Sequence, residues 1–402
     1  MIVFRKSSYV AVLVSLLLAG CAGSTLSSHP TVVQGQSGAN GTQVLRPVAP
    51  NNAISQRPAT QMAGMVPVGT PRRAALLLPL SGPQAAVGQS MLDAALLATQ
   101  DLAPNTLELS VHDTAKGAEA AYQSARADGA QLIVGPLFST DVMAVRTAAA
   151  QAGDATPVLA LSNDTSLAGP SLYVMGFWPG AQIARVVRFA EMRGYRNFAA
   201  VVSNDAYGQA VASALQATLQ APAHLVKIVA TDDPGVAAAQ LASVRGQYDA
   251  LLLPMGGVNL AAMLDTLAPQ DLLQRAPGQN VQLLGSGLWD APDLQQRPML
   301  YGAWYAAPDP AARQSFTDRY QAGFGQPPVR IASLAYDATA MAAVLAARGW
   351  PYQASALTQP QGFDGVDGLF RIQQNGLVER SLAVLQLTPG GLQLVDPAAR
   401  RF

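Results

Sequence analysis

The stretch AALLLPLSGPQAAVGQSMLDAALLAT, residues 74–99, decides how the chain folds. Ala74–Leu80 is a continuous apolar run of strand length, the pattern of a strand buried on both faces. Ser81-Gly82-Pro83 is turn chemistry, and Gln89–Thr99 carries an Ala/Leu face at helical spacing. The unit then repeats. Leu107–His112 predicts a strand and Ala118–Asp128 a helix, Leu132–Gly135 a strand and Thr140–Gln151 a helix, and Val158–Leu161 a further strand. Apolar strands alternating with helices mean a parallel sheet covered on both faces.

The alternation restarts at Gly180. Helices are predicted at Gly180–Arg193, Gly208–Leu219, Val236–Val244 and Leu260–Leu267, and strands at Phe198–Val202, Leu225–Ala230, Ala250–Leu253 and Val281–Leu284. Two series of similar size predict an α/β chain of two similar lobes. A strand-like Ala303–Ala306 and helices at Ala311–Ala322 and Ile331–Arg348 follow. At the end, Leu369–Ile372, the turn Asn375-Gly376, Ser381–Leu387 and Leu392–Val395 predict a small C-terminal antiparallel hairpin, Asn-Gly between strands being a strong hairpin signal.

The N-terminus has another character. Arg5 and Lys6 precede an apolar stretch, Val10–Leu18, too short for a comfortable membrane span, and Leu18-Ala19-Gly20-Cys21 closes it. Residues 1–20 therefore predict a signal peptide. Cys21 is the only cysteine and sits where a lipobox needs its thiol, so it is the expected lipid attachment site. There, as in bacterial lipoproteins, the sulfur takes a diacylglycerol and the new amine a third acyl chain, an anchor of several chains. The membrane is met through this anchor alone. Ala22, in place of an Asp, favours the periplasmic face of the outer membrane. Residues 21–71 are rich in Ser, Gly, Thr, Pro, Gln and Asn without helical or strand period, and predict a disordered tether. The bilobal domain is expected over residues 72–402.

Of the 402 residues 12% are charged, against an average of about 25%, and the net charge is zero. That excludes the basic stripe of a nucleic-acid binder. No Cys/His cluster exists for zinc, and G-x-S-x-G, Walker and complete G-x-G-x-x-G patterns are lacking. Gly285-Ser286-Gly287 starts like a dinucleotide loop and lacks the third glycine. His112-Asp113 has two readings, half of an acid–base pair or a strand end with a polar cap, and the second fits better. No enzyme activity, cofactor or metal is expected.

What the sequence does place after strand ends is small and polar: Ser81-Gly82, Ser139-Thr140, Ser162-Asn163-Asp164-Thr165, Asn204-Asp205-Ala206-Tyr207-Gly208 and Gly287-Leu288-Trp289-Asp290. In open α/β sheets ligands sit at this end. Each loop has a plainer reading. Ser139 or Thr140 is an N-cap in any case, Asn163-Asp164-Thr165 is turn chemistry, and Tyr207 and Trp289 pack at a lobe interface. Five such loops on two lobes point to a cleft.

Five segments in order carry a resemblance: LLLPLSGPQAAVGQSMLDAALLA (76–98), LIVGPLFSTDVMAV (132–145), TPVLALSND (156–164), NDAYGQ (204–209) and FDGVDGLFRIQQNG (363–376). They resemble the type I periplasmic-binding fold of the leucine/isoleucine/valine-binding branch. Within it, LLLPMGGVNLAAML (251–264) and the lipobox are most similar to the penicillin-binding-protein activator lipoproteins of the LpoA/YraM type. The resemblance implies two Rossmann-like lobes with a cleft between them, lobe 1 at about 72–177 and 304–349 and lobe 2 at about 178–303 and 350–402, joined by three crossovers near Met175–Gly180, Trp289–Ala306 and Trp350–Val366. In amino-acid binders of this branch, lobe 1 groups hold the ligand carboxylate, which maps to Ser139, Asn163 and Thr165. A tyrosine and an acid hold the ammonium, which maps to Tyr207 with Asp205 or Asp290. The activators also carry an N-terminal helical-repeat domain, where this chain has its tether. Two functions follow as expectations. The first is an outer-membrane activator whose partner is a peptidoglycan synthase, a penicillin-binding protein. The second is a solute-binding lipoprotein of an ABC importer, with an amino acid or related small polar ligand in the interlobe cleft.

Overall fold

The computed structural model describes residues 71–402. The predicted signal peptide, Cys21 and the tether up to residue 70 lie outside the described residues. The first lobe opens with β1 (Arg72–Leu78), α1 (Ala85–Leu102), β2 (Leu107–Asp113), α2 (Ala118–Ala127), β3 (Leu132–Val134), α3 (Ser139–Gln151), β4 (Val158–Ala160) and β5 (Leu172–Val174). All five strands are parallel, in the order β2-β1-β3-β4-β5. Strand alternation sends Leu76 and Leu78 into one core, against Met91 and Ala95 of α1, and Ala75 and Leu77 into another, against Tyr122 of α2 and Val145 of α3. This is why β1 reads as an unbroken apolar run.

The second lobe begins with α4 (Pro179–Met192), β6 (Asn197–Val202), α5 (Ala206–Thr218), β7 (His224–Ala230), α6 (Pro234–Ala242), β8 (Ala250–Leu252) and α7 (Gly257–Leu267). A two-stranded ribbon of β9 (Gln274–Ala276) and β10 (Gln279–Asn280) precedes β11 (Gln282–Gly285), α8 (Pro292–Gln295) and β12 (Trp304–Ala307). Its parallel strands run β7-β6-β8-β11-β12, the same order as in the first sheet. In both lobes the winding reverses beside the first strand, which leaves a crevice at the strand C-termini.

The chain then returns to the first lobe as α9 (Pro310–Phe324), α10 (Ala332–Ala347) and α11 (Ala354–Leu357), followed by a meander of β13 (Phe363–Gly365), β14 (Gly368–Ile372) and β15 (Val378–Arg380). Every residue from Ala332 to Ala346 is buried, and the many alanines let α10 lie close against α1. Finally β16 (Ala383–Thr388) and β17 (Gly391–Asp396) add to the second sheet, β16 antiparallel to β12.

Two expectations need correction. The strand near 304, expected in lobe 1, is β12 of the second sheet. Residues 350–380, expected in lobe 2, belong with lobe 1: Trp350, Tyr352, Phe363, Phe370 and Val378 lie in its core, and Leu377 bridges Val174 at the end of β5. The expected C-terminal antiparallel element is present, in two parts. The Asn375-Gly376 turn joins β14 to β15, while β16 and β17 extend the second sheet to seven strands. The chain therefore passes between lobes at 175–178, 308–309 and 381–382. A short apolar strand carries no mark of the sheet it will join.

Candidate functional site

The loops after the strands were the candidates, and each has a local architecture. After β1, Leu80 N–H and Ser81 Oγ donate to the Asp113 carboxylate at 2.8 and 2.7 Å, and Ala115 N–H adds a third bond at 3.1 Å. Burial alone would raise this carboxyl. The hydrogen bonds outweigh it and hold Asp113 below the usual carboxylate range. His112 turns the other way, with Nε2 3.0 Å from Ser110 Oγ and 3.5 Å from Asp128, so no His112–Asp113 acid–base pair forms.

After β3, Phe138 takes the N-cap position without a side-chain cap bond, and Ser139 and Thr140 are the first helical residues of α3. The expectation of a Ser139 or Thr140 N-cap is corrected accordingly. Ser139 is half-buried, and Thr140 and Asn163 are exposed. After β4, Asp164 caps a short turn, accepting from Ser166 N–H at 3.0 Å and Ser166 Oγ at 2.6 Å, and Thr165 opens that turn.

In the second lobe Asp205 caps α5. It accepts from Ser203 Oγ at 2.6 Å and Gly208 N–H at 2.8 Å, and these bonds hold its carboxyl below the ordinary range. The cap needs Gly208, because a Cβ there would lie 1.8 Å from Ser203 O. The Tyr207 hydroxyl sits 3.1 Å from Ser286 Oγ and ties the loop after β6 to the loop after β11. Burial raises the Tyr207 hydroxyl, so it stays neutral. Trp289, expected on the cleft wall, is instead wholly buried in the core of the second lobe. Its indole N–H donates to Leu253 O at 3.1 Å and Met255 O at 2.9 Å. Gly285 makes room for the ring, since a Cβ there would meet it at 2.2 Å.

Asp290 leads to residues that the sequence did not single out. Its Oδ2 lies 3.6 Å from Nε of Arg330, which stands just ahead of α10 in the first lobe. Arg330 Nη1 is 3.6 Å and Arg313 Nη1 3.7 Å from Oδ1 of Asp367, a carboxylate with no solvent exposure. Deeper still, Arg380 Nη1 donates to Asp337 at 2.9 Å, Val366 N–H donates to the other Asp337 oxygen at 2.8 Å, and Arg380 Nη2 reaches Met175 O at 3.3 Å. Burial pushes the Asp337 carboxyl up, Arg380 pulls it down, and Asp367 pushes it up again. The guanidinium groups of Arg330 and Arg380 lie 4.7 and 5.0 Å from the ring centre of Phe177 in the first crossover. Three arginines and three aspartates thus meet where the lobes join. The one hint in the sequence is an acid, Asp337, inside the otherwise apolar helix ASLAYDATAMAAVLAA. Among the described residues no three His, Cys, Asp or Glu side chains stand together to hold a metal ion. A small junction pocket of about 10 Å³ is lined by Gly176, Phe177, Trp178, Gln182, Val378 and Arg380, among others.

Two lobes of like topology, three connecting passages and polar loops at both switch points define a bilobal binding domain. The chain belongs to the periplasmic binding protein family, whose model matches residues 71–391. A curated relative, an uncharacterized protein of Rickettsia prowazekii, is 26% identical over 144 residues, which span 35% of this chain and 38% of that relative. The fold is similar to that of a putative branched-chain amino acid ABC transporter protein from Rhodospirillum rubrum, at 18% identity and a TM-score of 0.69, over 81% of this chain and 100% of that one. It is also similar to the C-domain of LpoA (YraM) from Haemophilus influenzae, a regulator of PBP1A, at 21% identity and a TM-score of 0.64, over 80% of this chain and 99% of that one. The chain spans 59% of full-length LpoA of that organism.

Proposed function

We propose that the chain is a lipid-anchored regulator whose partner is a peptidoglycan synthase, a penicillin-binding protein, met on the periplasmic side of the outer membrane. One observation carries this reading: each acid available for a ligand ammonium already faces a partner of its own chain in this structure. Asp205 is spent on the α5 cap, and Asp290 faces Arg330 of the other lobe. A zwitterion entering the cleft would leave its cation without a dedicated carboxylate, at a cost of several kcal/mol, about 3–5. The lipobox and the likeness to the LpoA C-domain support the same choice. On this reading the partner reads the outer surface of the lobes, and the protein is no enzyme.

The importer reading keeps one observation in its favour. The side chains of Ser139, Thr140, Asn163 and Thr165 enter none of the hydrogen bonds among the described residues, as a carboxylate site would require. Thermal unfolding of the full chain with each common amino acid separates the two. A ligand at 100 times its dissociation constant would add about 2.7 kcal/mol, and none of the amino acids is expected to raise the melting temperature. A clear rise with leucine, glutamate or a similar solute, lost in the Ser139→Ala/Tyr207→Ala double variant, would replace the regulator with the carrier.

A further inference from the structure

Arg330 occupies an unusual position between the lobes. Its backbone is fixed to the first lobe, where its carbonyl accepts from Arg313 Nη2 at 2.9 Å. Its side chain reaches two carboxylates, Asp290 of the second lobe and Asp367 of the first, each at 3.6 Å. Both distances are ion-pair distances, and both exceed the roughly 2.7–2.9 Å of a charge-assisted hydrogen bond. Arg330 Nη1 and both oxygens of Asp367 are buried without a hydrogen-bond partner among the described residues. The Tyr305 hydroxyl is buried beside Asp290.

A buried charge without hydrogen bonds is costly, so closure onto either acid is favourable and the two closures compete. Each requires a movement of less than about 1 Å. Each also leaves the losing acid provided for. When Arg330 closes on Asp290, Arg313 at 3.7 Å still compensates Asp367. When it closes on Asp367, Asp290 retains solvent, its side chain being 25% exposed. The Phe177 face beneath the guanidinium tolerates a lateral shift, because a cation–π contact depends mainly on the distance to the ring. We infer that Arg330 is a two-position tie: on Asp290 it holds the lobes together, and on Asp367 it releases the second lobe. Small shifts at such a junction are amplified because packed lobes are bistable rather than continuously deformable. The tie is a property of this chain alone and holds whichever ligand or partner the protein serves.

Spin labels on the full chain test it, one at Ser124→Cys on α2 and one at Ser213→Cys on α5, both exposed positions, with Cys21→Ser to leave only these thiols. Pulsed electron paramagnetic resonance then gives the interlobe distance distribution. Asp290→Asn should raise the ratio of long to short distances about fivefold, and Asp367→Asn should move it in the opposite direction. If Asp367→Asn fails to fold, Asp290→Asn and Arg330→Gln decide the matter, and both must lengthen the distance. An unchanged distribution in Asp290→Asn, or a shift in the same direction by both acid variants, overturns the tie.

Discussion

The loops at the strand ends and the junction between the lobes hold their acids in opposite ways. In the loops, Asp113, Asp164 and Asp205 accept hydrogen bonds from residues of their own lobe and are exposed or half-buried. At the junction, Asp337 and Asp367 are fully buried, and they answer arginines that come from elsewhere in the chain. The difference shows in their protons. Hydrogen bonds depress Asp113 and Asp205, and burial raises Asp337. The loops are therefore locally finished structures, whose acids are already held by hydrogen bonds. The charge that is still to be committed lies where the lobes meet.

The sharpest way to break this comparison is Arg380→Met. It leaves Asp337 buried and uncompensated, which should cost about 3–5 kcal/mol at neutral pH in chemical denaturation. The sign with pH follows from the direction of the shift. A carboxyl raised on folding binds its proton more tightly in the native state, so its favourable contribution is lost as pH rises. The cost of Arg380→Met should accordingly be smaller at about pH 5 than at about pH 8. Equal costs at the two values would mean that Asp337 does not titrate with the fold.

Asp205→Ala should have a smaller effect, about 1 kcal/mol, the usual loss of an N-cap. Its pH dependence runs the other way. A depressed carboxyl contributes above its unfolded value and stops contributing as pH falls, so the variant and the parent should converge in acid. A loss near that of Arg380→Met would show that Asp205 does more than cap α5.

The sequence made the lobes visible and hid the junction, and the reason is range. Leu76–Leu78 and Phe198–Val202 announce buried strands because the signal lies in consecutive residues. The cap of Asp205 on Gly208 is likewise three residues long. The shared strand order of the two sheets, and the exchange of β12 for the meander, depend on pairings that no local pattern records. Trp289 looked like a cleft residue because it follows a strand end, yet its indole turns inward to Leu253 and Met255, 36 and 34 residues earlier. Asp337 and Arg380 are 43 residues apart, and Arg330 and Asp290 belong to different lobes. Three arginines and three aspartates of ordinary appearance become a cluster only when the chain has crossed between the lobes.

The central claim, a regulator that works through its outer surface, is tested most directly by peptidoglycan synthesis in vitro. A bifunctional penicillin-binding protein from the same cell would be assayed alone, with the full chain, and with the Ser139→Ala/Tyr207→Ala chain. The expected result is a faster synthase in the presence of the protein, with most of the gain kept by the double variant. A synthase indifferent to the protein at saturating concentration, or a gain that vanishes in the folded double variant, would contradict the claim.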